Sequence, residues 1–231
     1  MLYLILLLVM FCVLMREIRE VIKFSKLRKQ YIIQEHIDIS CIKIPSLTSE
    51  IIKRLFDMIV AMIVCITILP VLFIVLGVII KLTSSGPIIF AQKRVGVLGN
   101  IFVCYKFRSM YQDANNDLAI KNDKRVTPIG RFIRKTRLDE FPQFYNVLIG
   151  DMSLVGPRPT MRFITDKLDT HPKYMYRTLI RPGITGISQV NGRQSVQANM
   201  LNFDFEYLQR HSLWLDLKLI FQTLTFKDES Y

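Results

Sequence analysis

Acidic residues are scarce in this 231-residue chain: nineteen Asp and Glu stand against thirty-one Lys and Arg, a formal net charge of +12. That imbalance points to an anionic partner, whether a phosphorylated small molecule, a lipid headgroup or a nucleic acid. Cysteine is equally thin. Cys12, Cys41, Cys65 and Cys104 are scattered, with no C-x-x-C pair. A disulfide framework needs a small, dense, secreted chain, so reduced thiols and a cytosolic catalytic face are expected. The three histidines, His36, His171 and His211, lack zinc spacing. No zinc site is expected; a metal, if used, would meet carboxylates, which favours Mg²⁺ or Mn²⁺. Walker A and G-x-G-x-x-G loops are absent, as are internal repeats and low-complexity tracts. Charged residues make up only 22% and apolar residues 51%, which excludes disorder as the dominant state. Only two apolar runs are long enough to matter, which argues against a polytopic transporter.

The first run is Met1 to Met15, without a charge. As a helix it would reach about 22 Å at ~1.5 Å per residue, short of a hydrocarbon core of about 30 Å. No basic segment precedes it and no small-residue cleavage site follows, so a signal peptide is disfavoured. Arg16, Arg19, Lys23, Lys26, Arg28 and Lys29 follow, against Glu17 and Glu20 alone. An uncleaved anchor with its basic flank in the cytoplasm and a shallow membrane-surface helix are both open.

The second run is Leu55 to Ile80, with Asp57 as its one charge. It is long enough to span a bilayer, but Pro70 sits in its middle and removes a helix hydrogen bond. Lys53 and Arg54 precede it, and Lys81 and a basic domain follow. A helix that enters, bends near Pro70 and returns keeps both flanks cytoplasmic; a kinked spanning helix is the alternative. Between the runs, Gln30 to Lys53 reads as a polar, β-leaning linker closed by Pro45, Ser46 and Thr48.

Beyond Ile80 the composition changes. Thr83 to Pro87 is a turn cluster, Pro87 to Gln92 reads as a short strand, and Asn100 to Arg108 alternates like a second. Lys106 and Arg108 would share one face of it. Between Arg94 and Arg137 stand ten Lys or Arg and three Asp. Little aromatic interleaving and no DNA- or RNA-binding motif accompany them, so nucleic acid is not expected as a partner.

Arg134-Lys135-Thr136-Arg137-Leu138-Asp139-Glu140-Phe141-Pro142 places two adjacent carboxylates after a run of cations and before a proline. Pro142 fits the first turn of a helix over Gln143 to Leu148, which would put Asp139 at or near its N-cap. A capping Asp with a first-turn Glu is one reading. A carboxylate nucleophile held ionised among cations is the other. Gly150 to Pro159, Arg181 to Gly186 and Asn191-Gly192-Arg193 are turn-rich and carry arginines. Such loops bring N–H groups and guanidinium forks close to phosphates. Leu213 to Phe221, with the only Trp, Trp214, is a core helix or one lying in a membrane interface.

At these residues the chain resembles the bacterial sugar transferase family, the monotopic polyprenol-phosphate phosphoglycosyl transferases. The resemblance covers roughly Ile51 to Phe226. It rests on Lys53-Arg54-Leu55-Phe56-Asp57, the Pro-broken run, Phe90 to Gly96, Tyr105 to Met110, Leu138 to Gln143, Asn146 to Pro159, Arg181 to Gly186 and Gln189 to Arg193, in that order.

The resemblance implies an α+β, mainly helical monotopic membrane protein in the bacterial inner membrane. It would comprise a re-entrant helix-hairpin over 51–82 broken at Pro70 and a compact cytoplasmic catalytic domain with short strands over 83–231; ahead of these the residues themselves add an anchor helix over 1–15 and a basic juxtamembrane linker over 16–50. A UDP-sugar would donate its phosphosugar to a polyprenol phosphate in the lipid bilayer, giving a polyprenyl diphosphosugar and UMP. Asp139 matches the family nucleophile, and Glu140 the dyad Glu associated with Mg²⁺ (Mn²⁺ as substitute) and acceptor activation. Asp139 and Glu140 would thus also be the metal ligands. Lys106, Arg108, Arg134, Arg158 and Arg181 are the candidate phosphate binders, and Gln189, Asn191 and Arg193 a candidate substrate loop. Leu69 departs from the Ser that often precedes the family proline. Neither the sugar nor the assembly state is legible, which leaves a homodimer open. Pocket loops such as Gln194 to Asn202 are expected to choose the sugar. The rival from another class is a membrane-attached scaffold whose Asp-Glu pair only caps a helix.

Overall fold

The computed structural model describes residues 2–112, 123–161, 173–191 and 197–225, with side chains over the same stretches except 2–11 and 197–199. Helix α1 (Leu2–Gln34) is one continuous helix. It does not stop at Met15: the basic residues that read as a juxtamembrane linker continue the same helix. Glu17, Val21, Phe24 and Arg28 are buried at a spacing of i, i+4, i+7 and i+11, one stripe of a helical surface. That stripe packs on the start of α2 (Leu47–Thr83). The β-leaning linker expected over Gln30 to Lys53 shrinks to residues 35–46 and holds no strand.

Helix α2 begins where Ser46 Oγ accepts the Ser49 N–H at 3.2 Å, a normal N-cap, with Glu50 in the first turn. It runs through Pro70 and ends with Lys81 in its last turn. Among the described residues it is the one helix long and apolar enough to cross a membrane. Two stretches of it are buried: Arg54, Asp57, Met58 and Ala61 near the start, and Leu76, Gly77 and Ile80 near the end. Between and beside them Ile59, Ile63, Ile66, Val71, Ile74, Val75 and Val78 are exposed. An exposed apolar surface on this scale needs an apolar solvent or partner.

The rest of the chain packs against both buried stretches. Strands β1 (Ile89–Val95) and β2 (Ile101–Phe107) form an antiparallel hairpin, in register from Ile89 opposite Phe107 to Val95 opposite Ile101. Helix α3 (Pro128–Lys135), capped by Thr127, leads to a 3₁₀ turn over Leu138–Glu140 and then to α4 (Gln143–Ile149). Strand β3 (Ser153–Val155) pairs in parallel with β4 (Gly183–Thr185), Ser153 opposite Gly183 and Val155 opposite Thr185. Gly183 is obligatory there, because a Cβ would meet the Gly156 nitrogen at 2.1 Å. The short helices α5 (Tyr174–Arg177) and α6 (Ile187–Val190) and the longer α7 (Gln197–Arg210) and α8 (Leu213–Thr225) complete the described chain. The turn-rich segments that read as loops therefore contain a two-stranded sheet, too short to show alternation in sequence.

Two apolar clusters anchor α2. Ala61 joins Cys104, Val147, Met152, Leu154, Tyr207 and Leu219. Leu76 and Ile80 join Phe107 and Ile133, with Leu69 and Leu72 packed alongside. Each fully buried aliphatic side chain contributes about 1.5–3 kcal/mol.

Candidate active site

The Asp-Glu pair does not cap a helix. Arg137 takes a left-handed conformation, φ 58°, rare for a residue with a Cβ, and sends the chain into the turn Leu138–Glu140. Its Nη2 donates to the Gln189 carbonyl at 3.2 Å, which holds that conformation in place. Asp139 and Glu140 are both buried, at 5% and 7% exposure. Pro142, not Asp139, occupies the N-cap of α4, with no side-chain cap. The expected capping role of Asp139 is corrected: a separate turn intervenes and leaves the carboxylates for other partners.

The partners of Glu140 are cations. Lys106 Nζ, from β2, lies 2.7 Å from Glu140 Oε1, and Arg158 Nη2 lies 3.9 Å from the same oxygen. Asn146, fully buried in α4, fixes the distance between turn and strand. Its Nδ2 donates to the Val103 carbonyl at 2.7 Å and its Oδ1 accepts the Tyr105 N–H at 3.1 Å. It thus satisfies β2 as a third strand would. Arg134, in the last turn of α3, donates from Nε to Ser109 Oγ at 2.7 Å, just past β2.

Other predicted site residues lie elsewhere. Arg108 is beyond the end of β2, and its Nη2 donates to the Ser84 carbonyl at 2.8 Å and Ser84 Oγ at 2.9 Å. It closes the C-terminus of α2 instead of sharing a face with Lys106. Arg181 donates from Nε to the Gly150 carbonyl at 3.0 Å, and its guanidinium stacks 5.1 Å from the Phe24 ring centre. Burial, and secondarily the Arg54 charge, lowers its pKa to about 10. It lines a cavity of about 400 Å³ between α1, the start of α2 and the start of α8. None of Lys106, Asp139, Glu140 or Arg158 lines that cavity. Gln189 is buried and reaches the dyad turn through its backbone, while Asn191 Nδ2 donates back to the Ile187 carbonyl at 3.0 Å. Arg193 lies outside the described residues, as do the first residues of the Gln194–Asn202 stretch; its remainder opens α7. Pro70 stands inside α2 between the two buried stretches.

Several residues that matter to this geometry had no role assigned from the sequence, although Arg54, Asp57 and Arg94 stand within its motifs. Arg54 donates to the Val147 and Leu148 carbonyls at 2.7 and 3.2 Å, which caps the end of α4, and pairs with Glu17 at 2.9 Å. Asp57 accepts from Ser153 Oγ at 2.6 Å and the Leu154 N–H at 3.3 Å. The Lys53–Asp57 motif is thus a joint between α2, α4 and β3. Arg94 donates to the Pro159 carbonyl at 3.1 Å, and burial lowers its pKa to about 10. Arg177 and Asp204 form a buried pair at 2.8 Å beside Arg158. A lone acid among aromatics, Phe203-Asp204-Phe205, was the one available hint.

Among the described residues no three His, Cys, Asp or Glu cluster. Two adjacent carboxylates, Asp139 and Glu140, could supply at most part of a divalent-cation shell, the remainder coming from water or a bound ligand and not from an all-protein cage. Chemically, the site offers a carboxylate pair with Lys and Arg charges on one side, the arrangement that accepts and handles a phosphate ester.

Comparison with known proteins agrees with this chemistry. Residues 48–227 match the bacterial sugar transferase family. A UDP-N-acetylgalactosamine-undecaprenyl-phosphate N-acetylgalactosaminephosphotransferase of Aeromonas hydrophila is 44% identical over 78% of this chain and 44% of its own. A UDP-glucose:undecaprenyl-phosphate glucose-1-phosphate transferase of Klebsiella pneumoniae is 43% identical over 75% of this chain and 39% of its own. An undecaprenyl-phosphate galactose phosphotransferase of Salmonella typhimurium is 37% identical over 76% and 40%. The chain thus spans about two fifths of the length of these curated relatives. With the family match running across α2, the dyad turn and the sheet loops, this chain belongs to the bacterial sugar transferase family.

Proposed function

We propose that this chain transfers a phosphosugar from a UDP-sugar to a membrane polyprenol phosphate such as undecaprenyl phosphate. The observation that carries the reading is the buried Asp139–Glu140 turn with Lys106 2.7 Å from Glu140. The relatives' names supply the substrate classes.

In the first step an Asp139 carboxylate oxygen attacks the sugar-bearing phosphorus of the donor. A P–O bond forms to Asp139, the bond to the bridging oxygen breaks, and UMP leaves with that electron pair. In the second step a phosphate oxygen of the polyprenol phosphate attacks the same phosphorus. The Asp139–phosphorus bond breaks, the carboxylate is regenerated, and a polyprenyl diphosphosugar departs. Splitting one displacement between two nucleophiles lets one site serve two large substrates. Each approach of anion to anion costs about 4 kcal/mol per charge pair at 4 Å and an effective dielectric of 20. Lys106 and Arg158 offset that repulsion and stabilise charge on the transferring phosphoryl group. Asp139 and Glu140 would hold Mg²⁺, or Mn²⁺ in its place, which when bound neutralises diphosphate charge. Arg134, held on Ser109 from the end of α3, would add a further cation for the donor phosphates.

The membrane reading follows from α2. Both its buried stretches face one catalytic domain, while the apolar surface between them is exposed. A helix bent at Pro70 that dips into one leaflet and returns is compatible with both facts, and would bring the dyad to headgroup level on the cytoplasmic face of the bacterial inner membrane. One turn before Pro70, Thr67 Oγ1 donates to the Ile63 carbonyl at 2.7 Å.

The test is intact-mass measurement of the purified full chain with Mg²⁺ and UDP-N-acetylgalactosamine, UDP-glucose and UDP-galactose, with and without undecaprenyl phosphate. A phosphosugar-sized mass gain matched by UMP, absent in Asp139→Asn, is the expected result. An Asp139→Asn protein with wild-type turnover would sink the nucleophile assignment.

A further inference from the structure

The loop that carries Arg158 is held by every carbonyl it has. Pro157 O accepts the Gly183 N–H at 2.9 Å, and Thr160 O accepts the Val95 N–H at 2.9 Å. Pro159 O accepts from Arg94 Nη1 at 3.1 Å. Arg158 O accepts from Arg177 Nη2. The Arg158 N–H, the one amide donor between two prolines, lies near the Asp204 carboxylate and favours its charged form. Arg177 and Asp204 are themselves an ion pair at 2.8 Å, with side chains 4% and 3% exposed. One buried pair therefore brackets a single residue, the base holding its carbonyl and the acid holding that base beside the N–H. The Arg158 side chain is 32% exposed and reaches toward Glu140.

The bracket also connects to the dyad turn. Ser188 Oγ lies 3.3 Å from Asp204 Oδ1, and the next residue, Gln189, gives its carbonyl to Arg137. Helix α6 thus touches both the support of Arg158 and the strained residue that precedes Asp139. Removing two charges from water is expensive, and a plain apolar contact would have packed this core as well. A charged pair here buys directionality that apolar groups lack: it fixes one peptide plane.

Resting on the transferase reading above, we propose that Arg177 and Asp204 are positioning residues that fix the Arg158 guanidinium over the Asp139–Glu140 turn during phosphoryl transfer. They touch no substrate; they act through Arg158. Misplacing a group by about 1 Å can cost ~100-fold in rate, so a loosened bracket should fall on kcat while donor KM changes little.

The test is a double-mutant cycle in membrane-embedded full chain, with a radiolabelled donor to follow residual turnover. Asp204→Asn should lower kcat by about 10- to 100-fold with Arg158 present. In an Arg158→Met background the same change should cost less than about twofold, because its target is gone. Arg177→Lys, which keeps the charge but not the fork, should behave as Asp204→Asn does. Hydrogen exchange of the peptide covering 156–161 should quicken in Asp204→Asn while protection of α4 and α7 holds. Effects that multiply fully in the double variant, or exchange that rises throughout the domain, would overturn the proposal and mark the pair as merely structural. Wild-type protein that releases no UMP with any donor would instead defeat the transferase reading, and this one with it.

Discussion

Lys106 Nζ and Glu140 Oε1 stand 2.7 Å apart, joining the antiparallel hairpin to the dyad turn, with side chains only 19% and 9% exposed. Lys106→Gln should therefore act on chemistry more than on folding. Turnover is expected to fall about 100-fold, the scale of losing one charge-stabilising donor. UMP release set beside a thermal melt checks this. A melt that collapses in step with activity would contradict it.

Asn146 is the mechanical link beneath that pair. Asn146→Ala strips a partner from both the Val103 carbonyl and the Tyr105 N–H. Leaving buried polar groups unmet costs about 1–3 kcal/mol each. Asn146→Asp should fare nearly as badly, because a carboxylate cannot donate to the carbonyl. Denaturant midpoints of the two variants, compared with the parent in one detergent, decide it.

His211 predicts a pH dependence. Burial, opposed by the hydrogen bond to the Leu208 carbonyl, holds its folded-state pKa below the ordinary 6.5. The unfolded chain then binds the proton more readily. Stability from this group is fully present above 6.5 and is lost as pH falls through 6.5 toward the folded value. Thermal midpoints recorded from pH 7.5 down to 5 should fall less in His211→Gln than in the parent. Parallel curves would remove His211 as the cause.

The course of α2 can be tested by labelling. Ser46 and Ser85, just outside its two ends, are both exposed. Cysteines placed there singly, with Cys12, Cys41, Cys65 and Cys104 replaced, should both react with a membrane-impermeant thiol reagent from the cytoplasmic side only. One site labelled from each side would establish a spanning helix.

The sequence showed the dyad, the hairpin strands and the proline-bearing apolar run, because each rests on local pattern. Alternation marks β2, and a proline after two carboxylates marks the start of α4. What it hid depends on contacts between distant residues. Arg54 meets Glu17 across 37 positions, and Arg108 and Arg181 differ from Lys106 only in where the fold carries them. Their arginine-rich contexts read alike, yet one closes a helix, one stacks on Phe24, and one faces the dyad. The left-handed Arg137 was invisible too, since a strained backbone held by a remote carbonyl has no local signature. Nor did three-residue strands such as β3 and β4 offer enough length for a period to show.

The joint at Arg54 bears on how this protein should be cut. The family match starts at residue 48, which invites truncation just before α2. Yet the guanidinium that closes α4 draws its carboxylate from Glu17, a residue of α1, and Arg28 of the same helix pairs with Glu50. A fragment trimmed to the match would leave the Arg54 guanidinium without its carboxylate and the Glu50 carboxylate without its guanidinium. The charge pairing of the start of α2 is thus completed from outside the matched region, by residues of α1.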